Sequence, residues 1–291
     1  MSGLPFRPWR PRNVELKSLY PSPVDDRSMS VMEYYRVPEV RIDDLLGLGD
    51  AKRAMKEAVL RGDKKILIVG PPGTGKSVLA LAAAAEIGVK IIDVDMSKVS
   101  SREKQLLSDL LDYISKDKWT VILYNIDDFI VKNVSQESNR IIIYDPYTDE
   151  PRRGIPHKII IYDPYTDNTE LSREKAYLEE LMESFSSASH RLIATASNSL
   201  VLGKKMLSLF DTVIKVNLPS LEERYDIINN IAGKEGLRQL PLDVIAHGTR
   251  GCNVKDIQMI LNEILGGKSP GEALKSHTCY AEALVRSYHG V

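Results

Sequence analysis

Eight consecutive residues, Gly70-Pro71-Pro72-Gly73-Thr74-Gly75-Lys76-Ser77, form the pattern G-x-x-x-x-G-K-S. Glycines at these positions let backbone N–H groups turn inward around an anion, where a side chain would crowd it. A helix starting near Lys76 adds its positive dipole end and unpaired N–H groups. In that setting Lys76 reaches the β- and γ-phosphates of a nucleoside triphosphate and the Ser77 hydroxyl takes a place on Mg²⁺, with Pro72, Gly73, Thr74, Gly75 and Val78 completing the cradle. Two more polar groups stand at the ends of apolar runs. Asp127 and Asp128 follow Trp119-Thr120-Val121-Ile122-Leu123-Tyr124-Asn125-Ile126, and Asn198 follows Arg191-Leu192-Ile193-Ala194-Thr195-Ala196-Ser197. Beside a triphosphate, Asp127 would hold Mg²⁺ through a bound water and Asp128 would orient the attacking water. An acid pair in this position also serves as a helix cap or turn, and so does a lone Asn.

These residues work together only if the chain positions them. The apolar run 64–69 before the glycine loop reads as a buried strand, and the Ala- and Leu-rich stretch to Ile87 reads as a helix ended by Gly88. Val89 to Asp95 is a second buried strand. Leu106, Leu107, Leu110, Leu111 and Ile114 fall at helical spacing, and 119–128 is a strand ending in the two carboxylates. A helix over 171–185, a strand over 191–198 and a strand over 212–216 follow. Strands alternating with helices predict an α/β fold, a parallel sheet with helices on both faces. Ligands of such sheets sit at the carboxyl ends of the strands, which would bring Asp127 and Asp128 to the edge that carries the glycine loop. After Pro219 the texture is wholly helical: 221–231, 242–246, 254–265 and 271–288. The predicted organisation is an N-terminal arm over 1–40, an α/β domain over 41–218 and a small all-α lid over 219–291.

Two stretches depart from this rhythm. The arm holds Pro5, Pro8, Pro11, Pro21, Pro23 and Pro38 among scattered aromatics, which suits an extended segment lying on its own domain or docking on a partner. Residues 139–170 contain a direct repeat, Ile141–Asp149 recurring as Ile159–Asp167, read as an inserted β-hairpin. Arg152, Arg153, His157 and Lys158 cluster near its expected tip, yet the segment has four Lys/Arg against six Asp/Glu. That balance disfavours a grip on nucleic acid.

The 291 residues are 43% hydrophobic and 27% charged, with a formal net charge of -1, so the chain can bury a core and has no global attraction to nucleic acid. Cys252 and Cys279 lack metal-site spacing and suit a reducing compartment. The N-terminus lacks a signal-peptide core and no apolar run reaches membrane-spanning length, so a cytoplasmic protein is expected.

With these landmarks placed, residues 41–291 resemble the AAA+ ATPases, and among them the AAA clade of remodelling ATPases such as katanin and spastin. The block Asp43–Lys52 is similar to the clade's linker before the loop, Gly70–Ser77 to Walker A and Ile122–Asp128 to Walker B. Asn198 stands at the sensor-1 position, 210–224 resembles the strand and P-x-x-x-x-R segment that open the lid, and His247–Cys252 the lid segment that touches the base. The resemblance implies a P-loop NTPase of AAA+ type that binds ATP with Mg²⁺, assembles as a hexamer or open ring, and remodels a protein client in preference to nucleic acid. It also implies an adenine slot between Leu45, Leu46 and Gly47 on one side and Ile227, Ile231, Gly251 and Cys252 on the other, where apolar walls and backbone amides would hold a flat base.

Three departures qualify those expectations. The second Walker B acid is Asp128 where the family has Glu. Ser208 and Leu209 stand where arginine fingers belong, with Lys204 and Lys205 the nearest cations. The link 95–101 has neither the aromatic nor the glycine of the clade's pore loop. Slow hydrolysis, or an arginine supplied by another subunit, is the expected consequence.

Overall fold

The computed structural model describes residues 32–35, 40–88, 90–99, 104, 107, 118–137, 143–144, 160–161, 169–187, 190–234 and 240–281. Its elements are β1 (Met32–Tyr35), α1 (Gly49–Arg61), β2 (Lys65–Val69), α2 (Lys76–Ile87), β3 (Lys90–Asp95), β4 (Trp119–Tyr124), α3 (Ile126–Glu137), β5 (Ile143–Tyr144), β6 (Ile160–Ile161), α4 (Thr169–Ser187), β7 (Arg191–Ala196), α5 (Ser199–Ser208), β8 (Thr212–Lys215), α6 (Leu221–Lys234), α7 (Leu242–Gly248), α8 (Val254–Leu265) and α9 (Pro270–Ser276). The strand order is β1-β3-β4-β7-β2-β8, and the last five run parallel. This is the parallel sheet with helices that the alternation predicts.

The burial pattern explains the sheet. Along β2, Leu67 and Val69 enter one apolar cluster while Ile66 and Ile68 enter another, because successive strand side chains point to opposite faces. One face packs Phe129 of α3 and Phe185 of α4 over Val121, Leu123, Leu192 and Ala194. The other packs α2 over Ile122, Ile193 and Ile214. Ala82, Ala83 and Ala84 of α2 are fully buried, and such small side chains let the helix lie close to the sheet. The loop that starts α2 is therefore seated directly above the strand ends.

β1 lies within the expected arm and pairs antiparallel with β3, Met32 opposite Val94, as an added edge strand. The helices after Pro219 share their own core of Ile227, Ile228, Ile245, Ile257, Ile260, Leu261 and Ile264. The helix expected over 271–288 ends at Ser276, where His277 is extended.

Two expectations are corrected here. β5 and β6, one from each repeat copy, pair parallel, Ile143 with Ile160 and Tyr144 with Ile161, so they are not the two arms of a hairpin. A hairpin needs a tight reversal, whereas the long connection between the copies lets the second run in the direction of the first. Apart from Thr169 and Glu170, which begin α4, the rest of 139–170, with the basic cluster at 152–158, lies outside the described residues. The other correction concerns Cys252 and Cys279, which form a disulfide with Cα atoms 4.4 Å apart. It fastens the segment after α9 to the start of α8. Among the described residues no helix is long and apolar enough to cross a membrane.

Candidate functional site

Strand β2 ends at Val69 and hands the chain to the glycine loop. Gly70 donates its N–H to Ala196 O of β7 at 3.2 Å, and Val216, just past β8, donates to Val69 O at 2.7 Å. The loop's exit is thus stitched to both neighbouring strands. Gly73 and Gly75 have φ of 74° and 96°, a region L side chains avoid. Thr74 is buried, its hydroxyl donating to Pro71 O at 2.8 Å. Lys76 is the first residue of α2 and is 6% exposed. Its ammonium donates to Gly70 O at 2.7 Å and Pro71 O at 2.9 Å, and it lies 3.3 Å from Ser197 Oγ. Ser77 and Val78 lie exposed on the first turn of α2.

The carboxylates reach this edge by a different route from the expected one. β4 ends at Tyr124, Asn125 takes a left-handed conformation at φ 57°, and Asp127 and Asp128 occupy the first turn of α3. They are helix-start residues, and the strand that was to run through them stops three residues before Asp127. The reversal at Asn125 makes the difference: its N–H donates to Thr195 Oγ1 and its side-chain amide to Asp95 Oδ1, fixing the turn. Asp127 is 3% exposed, and its Oδ2 accepts from Ser197 N at 3.0 Å and Asn198 N at 2.8 Å. Its Oδ1 is buried and has no hydrogen-bond partner among the described residues.

Lys76, Ser197, Asn198 and Asp127 thus form one connected group, although they are far apart in the chain. Burial pulls the Lys76 pKa down while Asp127 and Asp128 push it back up. Asp128 is exposed at the cleft, and its pKa is raised by desolvation, then by the charges of Asp127 and Asp95. Asn198 is exposed; its Oδ1 caps α5 by accepting from Leu200 N at 2.9 Å.

The lid meets the loop directly. Asn253 Nδ2 donates to Pro72 O at 3.1 Å and Lys255 N to Gly73 O at 3.3 Å. A Cβ on Gly73 would come within 2.7 Å of the Asn253 amide. Glu223 of α6 accepts from Gly49 N, joining the lid to the start of α1. Of the expected adenine slot, Leu46 and Ile231 pack on the lid core that contains Ile227 and Cys252, and Ile227 faces Gly47. Leu45 packs instead on the core beneath α2. Cys252 is fully buried with its sulfur in the disulfide, and Gly251 faces Ala281 of the C-terminal segment.

Sequence reasoning missed three residues. Ser197 touches Lys76, Leu48 sits 3.3 Å from where a Gly75 Cβ would stand, and Asn253 holds the loop. Asn253 had a legible signal: with Asp256 it forms a capping box at the start of α8. Nothing local distinguishes Leu48 or Ser197. Asn253→Ala removes that cap and the loop contact together. We expect a loss of about 1 kcal/mol in stability from the cap, read by chemical denaturation.

The donors present fit a magnesium–triphosphate ligand. They are a hydroxyl, two carboxylates, a buried ammonium and the N–H groups of a helix start, all hard or anion-seeking. No group of three His, Cys, Asp or Glu clusters as a metal site among the described residues. Mg²⁺ commonly takes only one or two protein ligands beside water and phosphate.

A parallel sheet with a glycine loop at the head of α2 is the fold of the AAA domains to which this chain is similar. Residues 66–143 match the family "ATPase family associated with various cellular activities (AAA)". It is 25% identical over 245 residues to Cell division protein C of Sulfolobus acidocaldarius, covering 77% of this chain and 58% of that protein. It is 27% identical over 282 residues to the AAA domain-containing protein FIGL1 of Arabidopsis thaliana, covering 90% of this chain and 37% of the relative. The chain spans about half the length of the curated relatives it matches first. The FIGL-1 AAA domain crystal structure superposes with a TM-score of 0.61 at 17% identity, over 91% of this chain and 94% of that one. A katanin structure described for its self-assembly gives 0.55 at 18%, over 85% and 81%.

Proposed function

We propose that this chain is an ATP-dependent AAA+ ATPase that oligomerises, as a hexamer or open ring, and couples ATP binding and hydrolysis to remodelling of a macromolecular partner, a protein in preference to nucleic acid. The observation that carries the reading is the grouping of Lys76 with the Asp127-held Ser197–Asn198 turn at the mouth of the glycine loop. An ADP-bound structure of the FIGL-1 AAA domain and the katanin self-assembly structure support nucleotide binding and oligomerisation by analogy.

In this reading Lys76 leaves the carbonyls of Gly70 and Pro71 to meet phosphate oxygens, with Asp127 and Asp128 favouring its charged state. Ser77 and Asp127 (the latter through a bound water) would hold Mg²⁺, which would supply charge neutralisation of the phosphates. Asp128 accepts a proton from the attacking water. Asn198 positions phosphate through its side-chain amide while its Oδ1 caps α5. Leu46, Gly47, Ile227 and Ile231 bracket the base. Lys205 is paired with Glu179, and Lys204 is exposed. A second subunit is therefore the natural source of a planar cation for the phosphate. ATP turnover measured on wild type and Lys76→Ala tests the enzyme claim: we expect loss of at least about tenfold, and equal turnover would defeat it.

A second reading, a nucleotide-gated assembly subunit with weak hydrolysis, is favoured by one observation. β4 ends at Tyr124 and the reversal after it is Asn125, neither an acid, and the base candidate in this reading is the exposed Asp128. Asp128→Asn discriminates. If Asp128 is the base, turnover falls as pH drops through its raised pKa, earlier than for an ordinary aspartate, and the variant loses that acid limb together with its rate. Flat, near-zero turnover in both proteins, independent of protein concentration, selects the switch.

A further inference from the structure

Parallel strands have two ends, and the nucleotide chemistry uses one. At the other end β4, β7 and β2 lie side by side, and each is preceded by a basic residue: Lys118 before Trp119, His190 before Arg191, Lys64 before Lys65. A cleft of about 430 Å³ opens there, lined by Lys64, Lys118, His190 and Arg191, with Ile87 and Trp119 as apolar wall. Among the described residues no carboxylate lines it. The acids nearby are engaged: Asp211 Oδ2 accepts from Lys64 N at 2.8 Å and Lys65 N at 2.9 Å, and Asp63 is paired with Arg61 at 2.9 Å. Lys64 and Lys118 have no carboxylate partner among the described residues, while the Arg191 charge also acts on Asp63.

His190 supplies the second, independent observation. It is 3% exposed, and its Nδ1 accepts the Trp119 N–H at 3.2 Å. The proton of the neutral ring therefore sits on Nε2, which has no acceptor among the described residues. Burial lowers the His190 pKa, so the neutral ring is the relevant form. A buried donor without an acceptor is costly, which marks the wall of this cleft as incompletely satisfied.

We propose that this cleft is a second binding site, for a small anionic ligand with an apolar body. A phosphate or carboxylate group lies between Lys64, Lys118 and Arg191, and the body rests on Ile87 and Trp119. Arg191 provides the planar fork that matches either anion, and the two lysines provide point charges. The six residues of β7 separate this site from the P-loop edge by roughly 20 Å, so the two sites do not share a ligand.

The test is a titration of the full chain in a Lys76→Ala, Trp9→Phe background, which weakens nucleotide-site binding and leaves Trp119 as the reporting indole. The probes are phenyl phosphate, benzoate and inorganic phosphate. We expect saturable change in Trp119 emission with phenyl phosphate or benzoate at a Kd on the order of 1 mM or tighter, the tighter of the two identifying the anion. Inorganic phosphate should bind more weakly, because it lacks the body. Lys64→Glu with Lys118→Glu, both on exposed side chains, should weaken binding at least tenfold without lowering Tm. Absence of saturation by about 10 mM, or binding indifferent to the double charge reversal, would overturn the site. Neither outcome bears on ATP turnover, so this proposal and the ATPase reading stand or fall separately.

Discussion

Gly70→Ala is expected to lower the melting temperature by at least about 6 °C and to abolish nucleotide binding at temperatures where the wild type is folded. The physical cause is a backbone collision. A Cβ at position 70 would stand 2.1 Å from Val216 O, and 3.0 Å from Val216 C and Cβ. The obstacle is main chain, so no rotamer change relieves it. Either β8 moves off β2, breaking the Val216 N to Val69 O bond, or the loop lifts away from β7 and loses Gly70 N to Ala196 O. Overpacking of this kind costs about 3 kcal/mol or more, and in a domain this size each kcal/mol shifts Tm by roughly 2–4 °C. Gly88→Ala is the control. Its φ is 75° but nothing lies within 4 Å of a Cβ there, so only the backbone strain of about 1–2 kcal/mol applies. A Gly70→Ala protein that melts no lower than Gly88→Ala would show that the contact between the loop and β8 is not as described.

Asp127 offers the second large effect, and two substitutions separate its two roles. In Asp127→Ala the N–H groups of Ser197 and Asn198 lose their shared acceptor. Partners left unpaired in this way cost about 1–3 kcal/mol each when buried, and these two are part-buried, so a loss of about 2 kcal/mol is expected even without nucleotide. Asp127→Asn keeps an acceptor oxygen toward both N–H groups and removes the charge. Its stability should lie between wild type and alanine, while ATP turnover falls with that of the alanine variant.

The charge also matters for Lys76. Burial lowers the Lys76 pKa and Asp127 is the first of the charges that oppose the shift. Without Asp127 the ammonium loses its proton at lower pH. If a charged Lys76 is needed for ATP binding, binding should weaken as pH rises, starting below the ordinary lysine range, and Asp127→Asn should move that limb further down. Calorimetric titration of ATP across pH measures it. An unmoved limb in Asp127→Asn, with apo stability also unchanged in Asp127→Ala, would remove Asp127 from both roles.

Much of this was open to view in the chain itself. Gly70–Ser77 follows an apolar run and precedes an Ala-rich helix, and local pattern sufficed because each of those features is a matter of neighbouring residues. The alternation of strand and helix likewise sets a parallel sheet with its ligand edge at the carboxyl ends. Asp127 and Asp128 were legible as acids at that edge but not as helix residues. The reversal at Asn125 depends on Thr195 and Asp95, which arrive from β7 and β3. The repeat at 141–149 and 159–167 was plain, yet the parallel sense of its two short strands was not, since sequence identity carries no direction of pairing.

The residue types, then, determined the phosphate loop, the fold class and the acids that accompany them. Tertiary structure alone decided that Lys76 is caged by Gly70, Pro71 and Ser197, that Asp127 holds the turn before α5, and that Cys252 binds Cys279. It also decided that Asn253 grips the loop from the lid and that basic residues converge at the far ends of β4, β7 and β2. The reason is distance along the chain. Those contacts join residues separated by between 5 and 181 positions, and apart from the loop's own they depend on sheet order and lid placement, which no local pattern of side chains records.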